Sequence, residues 1–312
     1  GVKEISSIFR LSGREETIEA FEKGFASLMG QRFGLAFPYG RTALVALLEC
    51  SDLKDKEIIC PAYTCVVVPH AIVTSGNVPV FVDTEAGSYN MDFDLVEEAI
   101  NEKTGAIIPT SLFGSPVDLD KLEVVRNRYP NISIFQDCAY GFRATWEGKR
   151  VLREGKAAFY GLNISKIITS IFGGMVTTDD EQFASDLRAT REKMLRKPGV
   201  AKSIKRSLYL LSVEFAFIQA VYGIVNKLEC SGLLDSFVKY YDKSLIDMPA
   251  DYLVGMNGIE ARVGLCQLEK YHSVIAHRKE LAALYDDMLE SVTKIKLPPK
   301  NSGSTYSHYP VK

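Results

Sequence analysis

One lysine, Lys166, stands in the apolar stretch GLNISKIITSIFGGMVTT (161–178), just ahead of a Gly-Gly pair. An ammonium group is costly in such a setting unless it reaches water, finds a partner or gives up its charge. With its pKa depressed by apolar neighbours such as Ile164, Ile167 and Ile168, it would be a nucleophile; a solvated lysine at a strand or loop end is the plainer alternative. Upstream, Asp137 closes the apolar run ISIFQD (132–137) and precedes Cys138, Ala139 and Tyr140. Such an acid is either a turn residue or a charge held at a sheet edge, where open α/β sheets bind their ligands. Further upstream, FPYGRTALVALLE (37–49) puts Gly40 just before a helical pattern. The first-turn amides there could hold a phosphate, with Arg41 adding charge, unless the glycine only serves a turn. Pyridoxal phosphate needs three such parts: a Schiff-base lysine, a carboxylate that keeps the pyridine nitrogen protonated, and a phosphate cradle.

Positioning these residues requires a sheet whose strands end at one edge. Short apolar runs at 57–60, 78–83, 105–110, 132–137, 157–162 and 174–178 read as buried strands. Helical patterns at 42–49, 66–74, 94–100 and 119–129 separate the earlier ones, and 15–29 precedes them as a helix. Continuous apolar strands alternating with helices predict an α/β fold with a mainly parallel sheet covered on both faces. After Asp179 the pattern turns helical, with a long segment at 203–228 and another helix over 258–292. The closing NSGSTYSHYPVK reads as the lead-in to a strand with nothing to pair with, so a small C-terminal domain is expected to begin and be cut short. The expected division is a large domain over 1–250, carrying a helical insertion at about 198–250, and a long helix with the start of the small domain over 251–312.

The 312 residues are 46% hydrophobic and 24% charged, ordinary for a globular protein. A net charge of -2 without a basic run gives no footprint for nucleic acid. The six cysteines form no C-x-x-C pair and the four histidines are scattered, so no metal site is expected. Reduced cysteines and an N-terminus without an apolar signal segment suggest a cytoplasmic protein.

Much of the chain resembles the sugar-nucleotide aminotransferase family named after DegT and StrS. The resemblance lies in the order and spacing of FPYGRTALVALL, IICPAYTCVVVPHAIVTSGNVPVFVDTE, GAIIPTSLFGSPVDLDKL, IFQDCAYGFRATWEGKRV and FYGLNISKIITSIFGGMVTTDD, followed by GIEARVGLCQLEKYHSVIAHRKELAALYDDML. It implies a three-layer, fold-type I pyridoxal-phosphate enzyme, active as a homodimer, that moves an amino group from a donor such as glutamate to a keto-sugar nucleotide. By position, Lys166 matches the Schiff-base lysine and Asp137 the partner of the pyridine nitrogen. Ala139 falls where a small residue packs on the ring, and Gly40, Arg41 and Thr42 match the phosphate turn. A lysine at 166 separates the chain from the family's dehydratase branch, which has histidine there.

Four positions depart from the family pattern. Cys65 stands where an aromatic side chain stacks on the cofactor, and Tyr140 where Gln or His is usual, a phenol able to donate to the ring hydroxyl oxygen. Gly161 replaces a phosphate-binding Ser or Thr, with Asn163 and Ser165 nearby as substitutes. Leu253, Val254 and Gly255 replace an N-Y-R block that reaches the partner's phosphate, with Asn257 close but out of register. These changes also suit an alternative, a catalytically impaired relative acting as a scaffold or regulator. Finally, 206–229 carries Glu214 as its only charge between Ser207 and Asn226, behind Lys202, Lys205 and Arg206. Burial against the body or a dimer partner is the first expectation for it, contact with a membrane surface the second.

Overall fold

Every run read as a strand forms one in the computed structural model, which describes residues 1–8, 13–232 and 246–312. They are β2 (Glu57–Pro61), β3 (Val78–Val82), β4 (Thr104–Ile107), β5 (Ser133–Asp137), β8 (Ala157–Gly161) and β9 (Gly174–Thr178). A further strand, β1 (Phe33–Phe37), and a small hairpin, β6 (Thr145–Trp146) with β7 (Lys149–Arg150), are not apparent from the apolar pattern. The reason for β1 is local. Gly34 breaks its apolar signal, yet a Cβ there would lie 2.5 Å from the Glu22 carbonyl oxygen, so close packing requires the glycine.

The seven-stranded sheet has the order β1-β9-β8-β5-β4-β2-β3. Neighbours from β3 through β8 run parallel, and β9 lies antiparallel between β8 and β1. Alternate residues of each strand enter different cores, as a sheet covered on both faces requires. On one face, Ile58, Phe135, Phe159 and Val176 pack under α3 (Gly40–Cys50), α4 (Val67–Thr74) and α7 (Glu181–Met194). On the other, Ala158, Tyr160 and Met175 meet Phe21, Phe25 and Met29 of α2 (Arg14–Met29), with Tyr271 of the long C-terminal helix, while Ile59, Ile107 and Ile134 meet α5 (Phe93–Ala99) and α6 (Leu119–Arg128). A short α1 (Val2–Ile8) precedes them.

The segment expected as one long helix is two, α8 (Val200–Ala216) and α9 (Gln219–Cys230), bent by 107°. Against the body of its own chain the segment is little buried: on α8 only Arg206 and Leu210 are, and on α9 no described residue is. Val200, Ile204, Leu208, Leu211 and Phe215 form an exposed stripe at helical spacing on the side of α8 away from those two. No single helix among the described residues is long and apolar enough to cross a membrane. The rest of the expected insertion, 233–245, lies outside the described residues.

The last helix, α10 (Gly258–Leu289), begins at a capping box in which Asn257 and Glu260 satisfy each other's backbone N–H groups. It approaches α2 closely, since a Cβ at Gly264 would lie 2.4 Å from Phe21. Beyond it the chain returns across the sheet. No strand forms among residues 291–312, but Lys312 and Lys296 exchange both backbone hydrogen bonds (2.7 and 3.0 Å), so the closing residues do find a partner.

Candidate active site

The parallel strands deliver their C-terminal ends, and β9 its first residue, to one edge of the sheet. There β5 ends at Asp137, β8 at Gly161, and β1 runs into Tyr39 and the first turn of α3. Asp137 is buried, and its carboxylate accepts from the Ala139 N–H (3.0 Å) and from the Thr110 hydroxyl at 3.5 Å. Burial pushes its pKa up, against the opposing pull of these donors and of Lys166.

Lys166 sits on the loop 162–173 between β8 and β9, whose mouth is closed by the pairing of Gly161 with Gly174. Inside, Leu162 N–H donates to Gly173 O (2.8 Å) and Ser170 N–H to Leu162 O (2.9 Å). Ile167 and Ile168 are buried with Phe25 and Tyr160, so they anchor the loop. What covers the amine is an aromatic ring: Lys166 Nζ lies 3.4 Å from the Tyr140 ring centroid. Burial lowers the Lys166 pKa, while Asp137 and Cys65 act to raise it. Ile171, a β-branched residue in the same loop, has φ 71° in the left-handed region, a strained conformation that buried packing sustains.

The Gly-Gly pair does not form a left-handed turn. A Cβ on Gly174 would lie 2.3 Å from Tyr39 O, and one on Gly173 2.1 Å from Ser170 Oγ. Similarly, a Cβ on Gly40 would lie 2.9 Å from Gly161 Cα. Backbone against backbone, these glycines press the phosphate turn onto the mouth of the lysine loop. The amides of Gly40, Arg41 and Thr42 precede the first intrahelical bond of α3, from Ala43 N–H to Tyr39 O (3.0 Å). Their side chains look elsewhere: Arg41 donates to Asp247 O (3.1 Å) and Thr42 to Tyr252 O (3.0 Å).

The remaining expected residues lie around the same edge. Cys65 is exposed and close enough to Lys166 to act on its charge. Ala139 and the Lys166 stem flank Gly161, with Ala139 Cβ 3.9 Å and Lys166 Cε 3.7 Å from where a Gly161 Cβ would stand. Asn163 and Ser165 bond each other, Ser165 Oγ donating to Asn163 Oδ1 (2.8 Å). Asn257 caps α10, so its place out of register is explained by a structural task. Thr64 Oγ1 and Ser111 Oγ, beyond the ends of β2 and β4, are buried without a hydrogen-bond partner among the described residues. A lysine under a ring, a buried carboxylate, helix N-terminal amides and two orphaned hydroxyls at one edge fit the donor set of pyridoxal phosphate.

Three contributors are missed in reading the sequence. Arg206 of α8 donates to Glu260 (2.8 Å), to Asp251 (2.8 Å) and to the Tyr39 hydroxyl (2.9 Å), and lies 4.3 Å from the Phe172 ring in the lysine loop. Lys202 donates to the carbonyls of Val254 and Gly255 (2.8 and 2.9 Å), bracing the segment that replaces N-Y-R. His308 comes from the far end of the chain to contact Tyr140 and Phe113, ring centroids 5.4 and 5.7 Å away. An arginine inside an apolar helix is a signal for the first; nothing in the spacing marks His308. A separate groove of about 690 Å³ between α2 and α7 is lined by residues such as Arg14, Glu22, Arg191 and Arg196.

Comparison with known proteins gives a consistent picture. The family described as DegT/DnrJ/EryC1/StrS aminotransferase matches residues 5–312. A GDP-perosamine synthase of Caulobacter vibrioides is 34% identical over 273 residues, covering 87% of this chain and 62% of that protein. A dTDP-3-amino-3,6-dideoxy-alpha-D-galactopyranose transaminase of Aneurinibacillus thermoaerophilus is 31% identical over 176 residues, 56% of this chain and 48% of that one. Among solved structures, a sugar aminotransferase from Micromonospora echinospora superposes with a TM-score of 0.74 at 21% identity, over 100% of this chain and 77% of its own. The chain spans about six tenths of the length of curated relatives such as the Caulobacter synthase.

Proposed function

Because the chain belongs to the DegT/DnrJ/EryC1/StrS aminotransferase family, we propose that it is a pyridoxal-phosphate-dependent aminotransferase that moves an amino group from a donor, glutamate, to a keto-sugar nucleotide. The observation that carries this reading is the meeting of Lys166, Tyr140 and Asp137 at the strand edge beside the first turn of α3. When bound, the cofactor supplies an electrophilic aldehyde carbon and a ring that draws electrons from the substrate carbon.

The chain's own residues do the rest. The Gly40–Thr42 amides hold the phosphate. Asp137, fixed by Ala139 N–H, would hold the ring nitrogen and keep that nitrogen protonated. Lys166, with its pKa lowered by burial, gives up its charge more readily; it would hold the cofactor and, when free, could move a proton to and from the substrate carbon. Tyr140 covers the amine and excludes water from it.

We further propose that the protein is a cytoplasmic homodimer whose segment 206–229 lies against the partner subunit or, as the alternative, a membrane surface. The exposed apolar stripe of α8 supports either contact, and the exposed Lys205 and Lys227 beside it suit anionic headgroups.

Lys166→Ala tests the enzymatic reading. With pyridoxal phosphate added, the wild-type protein develops the visible absorbance band of the lysine-bound cofactor and turns over; the variant has neither. The scaffold alternative, which rests on Cys65, Gly161 and the lost N-Y-R block, requires that the wild-type protein show no band.

A further inference from the structure

Residues 304–309 form a strap across the strand edge. Thr305 N–H donates to Gly114 O (3.0 Å), the Thr305 hydroxyl to Tyr140 O (3.0 Å), and His308 N–H to Phe113 O (3.4 Å). From outside, Arg278 of α10 donates to the carbonyls of Tyr306 and Ser307 (3.2 and 2.7 Å), and the Tyr309 hydroxyl to Asp286 (2.6 Å). Ser304, Thr305 and Ser307 are buried, whereas His308 is exposed. The backbone is thus fixed on three sides while one imidazole stays accessible.

That imidazole lies in a continuous aromatic wall. Its ring meets the edges of Phe113 and of Tyr140, the same ring whose face carries Lys166 Nζ. Phe113 lies 6.0 Å from Tyr63, which is 56% exposed, and holds φ 55°, a conformation costly for a non-glycine residue. Partial cover by the rings beside it, then Lys166 and Arg278, hold His308 below its ordinary pKa. A neutral imidazole offers both a donor and an acceptor. Nδ1 lies 3.3 Å from Ser307 Oγ, and Nε2 has no hydrogen-bond partner among the described residues.

We propose that His308 is a substrate-positioning residue: with Tyr63 and Phe113 it forms the wall against which the sugar ring of the keto-sugar nucleotide lies, its Nε2 bonding a sugar hydroxyl beside Lys166. Aromatic faces suit the C–H face of a sugar ring, and an imidazole edge suits its hydroxyls. The proposal rests on the aminotransferase reading above.

The test separates the two half-reactions in protein loaded with pyridoxal phosphate, each followed by the visible band in single turnover. His308→Phe keeps the ring and its edge contacts but removes both nitrogens; His308→Asn keeps a polar side chain. The expected result for His308→Phe is an unchanged band and a glutamate half-reaction within about twofold of wild type. Its KM for the keto-sugar nucleotide should rise about tenfold, the cost of one lost hydrogen bond, with partial recovery in His308→Asn. Unchanged sugar kinetics overturn the proposal. So does an equal slowing of both half-reactions, which would mark His308 as a support for Lys166 alone. A wild-type protein that accepts glutamate but transfers to no keto-sugar nucleotide overturns the functional reading itself, and is seen before any variant is made.

Discussion

At the scale of single residues, the site is built from side chains that are missing as much as from those present. A Cβ on Gly161 would meet nothing closer than 3.7 Å, whereas one on Gly40 would meet backbone at 2.9 Å. Gly161→Ser therefore fits, and its hydroxyl stands beside the phosphate turn. Titration with pyridoxal phosphate should show affinity rising roughly fivefold, about 1 kcal/mol for one added hydrogen bond. Gly40→Ala should lower it by on the order of tenfold, because a backbone neighbour cannot give way. Asp137 has a folded-state pKa raised by burial, so its contribution to stability is present below the unfolded carboxylate pKa and lost as pH rises through the folded value. At pH 7 the cofactor-free protein carries that cost. Asp137→Asn should then stabilise the cofactor-free protein at pH 7 by on the order of 1 kcal/mol, read as a higher melting temperature, and leave that temperature unchanged or lower below pH 4. The same substitution should abolish turnover.

At the scale of elements, α8 is fastened to the site by Arg206 and by Leu210, which packs with Ile171 and Phe172 of the lysine loop. Arg206 joins the N-terminus of α10 through Glu260, the loop before it through Asp251, the phosphate turn through Tyr39 and the lysine loop through Phe172. Removing one partner of a buried ionic cluster leaves the others uncompensated. Arg206→Met should cost roughly 3–5 kcal/mol in denaturant unfolding, and Arg206→Met combined with Glu260→Gln less than that. This arrangement also shows what a sequence can reveal. The strands 57–60, 132–137 and 174–178, and with them Asp137 and Lys166, were legible because buried parallel strands are uninterrupted apolar runs. β1 was hidden by the glycine its packing demands. The apolar residues of 206–229 suggested burial, but hydrophobicity does not say which side of a helix faces in; on α8 it is the side with Arg206 and Leu210. His308 was illegible because chain reversal beyond α10, not spacing, brings it to Lys166.

At the scale of the whole molecule, the bent pair α8–α9 turns an apolar surface outward from an otherwise ordinary α/β body. Leu208 and Leu211 are 62% and 39% exposed, so charging them leaves the core intact. Wild-type protein should cosediment with vesicles containing anionic phospholipid, and Leu208→Glu with Leu211→Glu should abolish this while circular dichroism stays unchanged. Sedimentation unaffected by the double substitution would remove the membrane-surface assignment. The geometry of β9 has a different kind of consequence, in the order of assembly. Gly161 and Gly174 are near in sequence, so the hairpin that carries Lys166 closes at small entropic cost. β1 must pair with the same β9 from the other end of the chain, Phe37 against Gly174. Local contacts form faster than distant ones. The hairpin that carries the lysine is thus expected to close early in folding and the turn at Gly40 to arrive late, so that any grip on a phosphate there would be a property only of the finished sheet.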